Sequence, residues 1–185
     1  MINVSWQKYT TARAVASSSY FNKPKDFKGV VRYKADLIMD RKEAASLIEQ
    51  CKKVLKDFVQ VHNEAVANGK KKAKKLNLKQ ALLNVPFEDY KGDDSKVIVR
   101  VKRSAEIAGK PHRIFFYDSI PKLIDFPPMI NDGSIVKVAG QILPHDGLGG
   151  GITLTIDAVQ IIELVEGKED NFGFREESGY VYKYS

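Results

Sequence analysis

The chain has 185 residues, 43% of them hydrophobic and 29% charged, with a formal net charge of +7. That length and balance suit one globular domain with a substantial core, and no apolar run approaches the ~20 residues of a membrane span. The positive excess favours a polyanionic partner, either nucleic acid or an acidic membrane surface.

Cys51 is the sole cysteine, so no intramolecular disulfide can form, as suits a reducing compartment. The opening MINVSWQKYTTARA lacks the apolar core of a signal peptide. Both observations predict a cytosolic protein. Cys51 itself falls on the apolar face of a predicted helix and reads as a small core residue.

Residues 12–21 read as a first short strand leading into Lys23-Pro24-Lys25. Residues 30–39, VVRYKADLIM, form a stronger strand, with Val31, Tyr33, Ala35, Leu37 and Met39 on one face and Arg32, Lys34 and Asp36 on the other. Asp40 and Glu43 then make a capping-box-like pair for a helix over 41–67. Ala44, Ile48, Cys51, Leu55, Phe58, His62 and Ala65 recur at steps of four and three as its apolar stripe, and Asn68-Gly69 closes it. Residues 69–75, GKKKAKK, make a solvated basic loop whose Lys70, Lys71 and Lys72 can release counterions from a nucleic acid.

Residues 76–83 suit a short helix and 84–94 a loop. Residues 96–103, KVIVRVKR, alternate Val97, Val99 and Val101 against Ile98, Arg100 and Lys102. Residues 112–118, HRIFFYD, alternate Ile114 and Phe116 against Arg113, Phe115 and Tyr117. A glycine-containing turn links these two strands. Residues 134–143 turn Val136, Val138 and Ile142 inward and Lys137 outward. A long flexible turn, DGLGGG, precedes a last strand region over 151–165, whose phase shifts around Gln160 as at a bulge. Short strands, one long helix and many turns predict a mainly β fold, a small curled barrel rather than a parallel sheet.

A strand follows the glycines at 147 and 149–151, so they make a hairpin rather than a phosphate-binding loop. His62, His112 and His145 stand far apart with no cysteine partners and do not spell a metal site. Asp36, Asp89, Asp93, Asp94, Asp118, Asp125 and Asp157 show no spaced nuclease signature, and no nucleophile elbow occurs. No cofactor or catalytic group is implied. Phe58, Phe116 and Tyr33 read as core. Sheets with one apolar face and one cationic, aromatic face fit single-stranded nucleic acid, whose phosphates meet Lys and Arg and whose bases stack on rings. Arg100, Lys102, Arg113, Phe115, Tyr117 and Lys137 are candidates on this ground.

Four stretches also carry a family resemblance: GVVRYKADL at 29–37, Val85-Pro86-Phe87 with the acidic loop after it, DGSIVKV at 132–138, and GGITLTIDAVQIIELV at 150–165 with the later Gly179-Tyr180. In order and spacing the chain resembles the replication single-stranded DNA-binding proteins of T7-like, short-tailed phages and related phage families. The resemblance implies a five-stranded OB-fold barrel with a long inserted helix, occupying 1–166, followed by a tail over 167–185. It places Arg32 and Lys34 on a cleft strand. It further implies coating and annealing of single-stranded DNA, a homodimer, and a place in the cytoplasm of an infected bacterium. Family members contact replication polymerase and helicase through a strongly acidic tail. Residues 167–185 depart from that pattern, setting four acids against three bases, and Tyr180, Tyr182 and Tyr184 are free to stack on bases or on a subunit. A metal-dependent nuclease and a basic structural or assembly protein stand as the alternatives.

Overall fold

A computed structural model of the chain describes residues 7–167. The tail, with Tyr180, Tyr182 and Tyr184, lies outside the described residues. The elements in order are β1 (Gln7–Thr10), β2 (Ala14–Phe27), β3 (Val30–Asp40), α1 (Arg41–Ala67), α2 (Leu78–Ala81), β4 (Phe87–Asp89), β5 (Lys96–Ser104), β6 (Glu106–Ile107), β7 (Lys110–Pro111), β8 (Phe115–Tyr117), β9 (Ile135–His145), β10 (Gly151–Leu154) and β11 (Ala158–Glu163).

Five of these strands close a ring. β2 pairs with β3, β3 with β5, β5 in parallel with β10, β10 with β9, and β9 back with β2. The order, first-second-third-fifth-fourth along the chain, is the OB barrel that the sequence led us to expect. The long helix is inserted between the second and third barrel strands. β9 is long enough to serve β1 and β11 as well, and β8 joins β11 in parallel.

The alternation read in β3 and β5 is the alternation that builds the core. Ala35, Leu37, Met39, Val97, Val99 and Val101 are all buried, against Val136, Val138 and Ile142 of β9 and Ile152 and Leu154 of β10. The helix packs on β3, β5, β9 and β10. Its buried face is Ala44, Leu47, Cys51, Val54, Leu55, Val59, His62 and Ala65, while Ile48 and Phe58 are only half-buried. Burial pushes the Cys51 thiol up to about 12, which leaves it an inert core group. Gly140 is required where β9 passes the β10–β11 link, because a Cβ there would meet the Thr155 carbonyl oxygen at 2.0 Å.

Several expectations are corrected. Asp40 makes no side-chain capping bond; Arg41 ties the helix start instead, its backbone N–H donating to Ser95 and its guanidinium to the Asp94 carbonyl and to Asp89. The first strand extends to Phe27, through Pro24, because this stretch pairs with β3 across two irregularities. The stretch 84–94 includes the short strand β4, paired with β5. The glycine-containing turn between β5 and β8 is present, but it folds into its own ribbon, β6 with β7, and β8 pairs with β11. The last strand region also breaks at 155–157, so Val159 and Ile161 become the buried positions and Ala158 does not, while the irregularity read around Gln160 lies between Ile161 and Glu163. Tyr33 is half-buried, its hydroxyl donating to the His112 carbonyl.

Candidate nucleic-acid interface

The outward face of β3 and β5 gathers Arg32, Lys34, Arg100 and Lys102. Nine registered pairs hold these strands together, and they set Lys34 directly opposite Lys102 and Arg32 opposite Ser104. On the other side of β3, Tyr20 lies opposite Lys34 and Lys25 opposite Arg32. One row across three strands therefore reads Tyr20, Lys34, Lys102. Like charges placed directly opposite on a sheet destabilise it. Partial desolvation, together with the charges of Arg32 and Lys34, holds the Lys102 ammonium below the usual lysine range. Lys34 approaches a carboxylate, Asp36, only at 4.0 Å.

Two rings wall this strip. Phe27 and Tyr20 meet edge to face with centroids 5.9 Å apart. Lys34 Nζ stands 5.7 Å from the Phe27 ring centre and Lys25 Nζ 5.1 Å from that of Tyr20. Phe27 is positioned by a tight two-residue turn in which Lys28 and Gly29 both take positive φ, 57° and 81°, the geometry that joins twisted antiparallel strands. A groove of about 370 Å³ runs beside it, lined by Phe27, Arg32, Lys34, Lys102, Pro86 and Thr153 among others. A second hollow shares Arg32, Lys102 and Thr153 with the first and continues to Arg103, Gln141 and Thr155. Arg103 is held there by Asp157 and by the Ile156 carbonyl.

The other expected residues are distributed differently. Arg100 shares the strip's face and lines the end of the same groove, but it is paired with Glu88 and Asp36. Arg113 and Phe115 line a separate pocket with Phe21, Tyr33, Leu123 and Pro127. Phe115 is 51% exposed there. Tyr117 and Lys137 stand in one row with Gln160 between them, across β8, β11 and β9, with Tyr117 half-buried. Lys71 donates to Asp146 at 2.6 Å and to Nδ1 of the buried His62 at 3.1 Å, which ties it down. Lys70 and Lys72 are exposed.

Sequence reasoning passed over Tyr20, Lys25 and Phe27. The signal was present in Lys28-Gly29, a hairpin turn directly after Phe27, but ending the first strand at residue 21 hid it. Among the described residues no three His, Cys, Asp or Glu side chains gather as a metal site, and no helix is long and apolar enough to cross a membrane.

The barrel with its inserted helix also occurs in solved structures. The crystal structure of gp2.5, a single-stranded DNA binding protein encoded by bacteriophage T7, matches with a TM-score of 0.70 at 22% identity, over 97% of this chain and 100% of that one. This chain has the same fold. The single-stranded DNA-binding protein of bacteriophage Enc34 matches with a TM-score of 0.56 at 14% identity, over 89% of this chain and 85% of that one. The Enc34 protein in complex with single-stranded DNA gives 0.57 at 14% identity, over 87% and 89% of the two chains. No family's sequence pattern and no curated protein sequence matches the chain.

Proposed function

We propose that this protein is a non-enzymatic single-stranded DNA-binding protein of phage replication and recombination, one that coats single strands with little sequence preference. The observation that carries this reading is the Tyr20–Lys34–Lys102 row with Phe27 beside it. Its two opposed lysines cost stability in the free protein, and a phosphate between them would offset that cost. The row lies on the second and third strands of an OB barrel, the face on which such barrels bind oligonucleotides. The fold shared with the phage proteins from T7 and Enc34 supports the same reading.

The chemistry of the groove gives the selectivity. The cations meet phosphates, which every sequence has. The rings of Phe27 and Tyr20 offer stacking surfaces, which every base can use, but only when it is out of a duplex. Single strands are therefore preferred without a base code. Coating both of two complementary strands through their backbones leaves base edges free, which is compatible with annealing, and a homodimer would bring two such grooves together.

The deciding experiment is a fluorescence-anisotropy titration of single-stranded and duplex oligonucleotides across a salt series. The expected result is tighter binding of single strands, with log affinity falling by about 0.7 per phosphate contact for each decade of salt. Equal, weak binding of both forms that vanishes at moderate salt would overturn the reading and favour a structural protein. Cleavage of labelled DNA on adding magnesium or manganese would overturn it in favour of a nuclease.

A further inference from the structure

Arg100 points out of the same face as Lys34 and Lys102, yet it stands in a different electrostatic setting. The β3–β5 register puts it directly opposite Asp36, and its Nε is 3.7 Å from Asp36 Oδ1. Its Nη2 is 2.5 Å from Glu88 Oε2. Asp36 Oδ1 is buried and accepts no hydrogen bond from the described residues, so the two cations near it, Arg100 and Lys34, act on it by charge alone.

Glu88 is a positioned group. It sits at the middle of β4, in register with Ile98 of β5. On one side of it the Arg100 N–H donates to the Pro86 carbonyl at 2.8 Å, and Phe87 packs against the core. On the other side Arg41 Nη2 donates to Asp89 at 2.8 Å. The three-residue strand is thus pinned at both ends, and its central carboxylate is set against the Arg100 guanidinium.

We infer that Glu88 and Asp36 form an acidic stop at one end of the cationic strip, holding Arg100 away from phosphate and ending the DNA-binding surface at the Lys34–Lys102 row. This rests on the single-strand-binding reading above. A carboxylate and a phosphate compete for the same guanidinium face. A strand extended past the row toward Arg100 meets two fixed negative charges. In the opposite direction it meets Arg32, Lys25 and the hollow that contains Arg103. The stop therefore sets which way the backbone leaves the row and lowers the number of phosphates neutralised.

The test is titration of full-length protein with a labelled oligothymidylate across a salt series. Glu88→Gln is expected to tighten binding about threefold at ~0.1 M salt, the scale of one exposed ion pair, and to steepen the salt slope by about 0.7, one added phosphate contact. Adding Arg100→Gln to Glu88→Gln must remove both gains. Asp94→Asn removes the same formal charge from an exposed position nearby, away from the β4 pins, and must not steepen the slope. A wild-type slope in Glu88→Gln, a gain that survives in the double variant, or an equal gain from Asp94→Asn overturns the inference. Should Glu88→Gln melt early, Arg100→Gln alone keeps the test: an arginine held off phosphate adds no contact, so the salt slope must stay that of the wild type, and a slope shallower by about 0.7 is equally fatal. A wild-type protein with no preference for oligothymidylate over duplex overturns the underlying reading instead, before any variant is compared.

Discussion

The groove on β3 and β5 and the pocket under Phe115 both set arginine beside an aromatic ring, but they are different kinds of surface. In the groove, four cations from two strands, Arg32, Lys34, Arg100 and Lys102, crowd together beside Phe27, and among the described residues no carboxylate lies closer than 4.0 Å to Lys34. In the pocket, Arg113 is the sole lining cation among the described residues, Asp125 shares the lining, and the other walls are mainly apolar: Phe21, Ile114, Phe116, Leu123, Ile124 and Pro127. Alternation along a single strand looks the same in both places. What separates them is how many charged strands lie side by side, which is a property of pairing and not of any one strand.

The largest expected effect breaks the symmetry between the two rings. Phe27→Ala should weaken single-strand binding by about 1–3 kcal/mol at every salt concentration, the contribution of one stacked base. Phe115→Ala should cost clearly less in the same titration. Equal losses would place the pocket on the DNA path and erase the distinction.

A second change tests the groove's wall. β2 leaves its register with β3 after Ser17, and Ser18 takes a positive φ of 47°. Asp132 holds this irregularity by accepting from the Ser18 and Ser19 N–H groups and the Ser19 hydroxyl. Partial burial pushes its carboxyl up, but these hydrogen bonds outweigh it and the net shift is downward. A depressed carboxylate contributes stability above its unfolded value and loses it as pH falls through the folded one, so the contribution disappears in acid. Asp132→Ala should cost about 1 kcal/mol at neutral pH, read by chemical denaturation, and should reduce the acid sensitivity of the remaining stability.

A smaller effect has opposite signs in two assays. Lys34→Ala relieves a like-charge pair, so it should leave the fold equally stable or more stable by up to ~1 kcal/mol. The same substitution should weaken DNA binding and make the salt slope shallower by about 0.7. Lys137→Ala, whose registered neighbour is Gln160, should do neither to that degree.

The finest test is the pH dependence of Lys102. Its ammonium is disfavoured in the fold, so that cost is present at neutral pH and is relieved as pH rises through the lowered value. Stability should therefore gain over the same alkaline window in which DNA affinity falls, with a midpoint below the ordinary 10.5. Lys102→Arg should abolish both trends, because a guanidinium keeps its proton there.

Much of this was legible from residue order alone. The helix bounds 41–67, the inward valines of β5 and the outward Arg32 and Lys34 follow from periods of 3.6 and two, because a segment's own geometry fixes which side chains share a face. The presence of a barrel followed from short strands and turns, and its OB order from the family resemblance. Tertiary structure alone decided which strands became neighbours. Register made Lys34 and Lys102 a pair and Arg100 a partner of Asp36, brought Glu88 onto Arg100, carried Asp146 to Lys71, and laid Tyr20 and Phe27 along the strip. The reason is physical: alternation is a local property of one strand, whereas the charge a side chain experiences depends on groups tens of residues away in sequence, which only closure of the barrel places beside it.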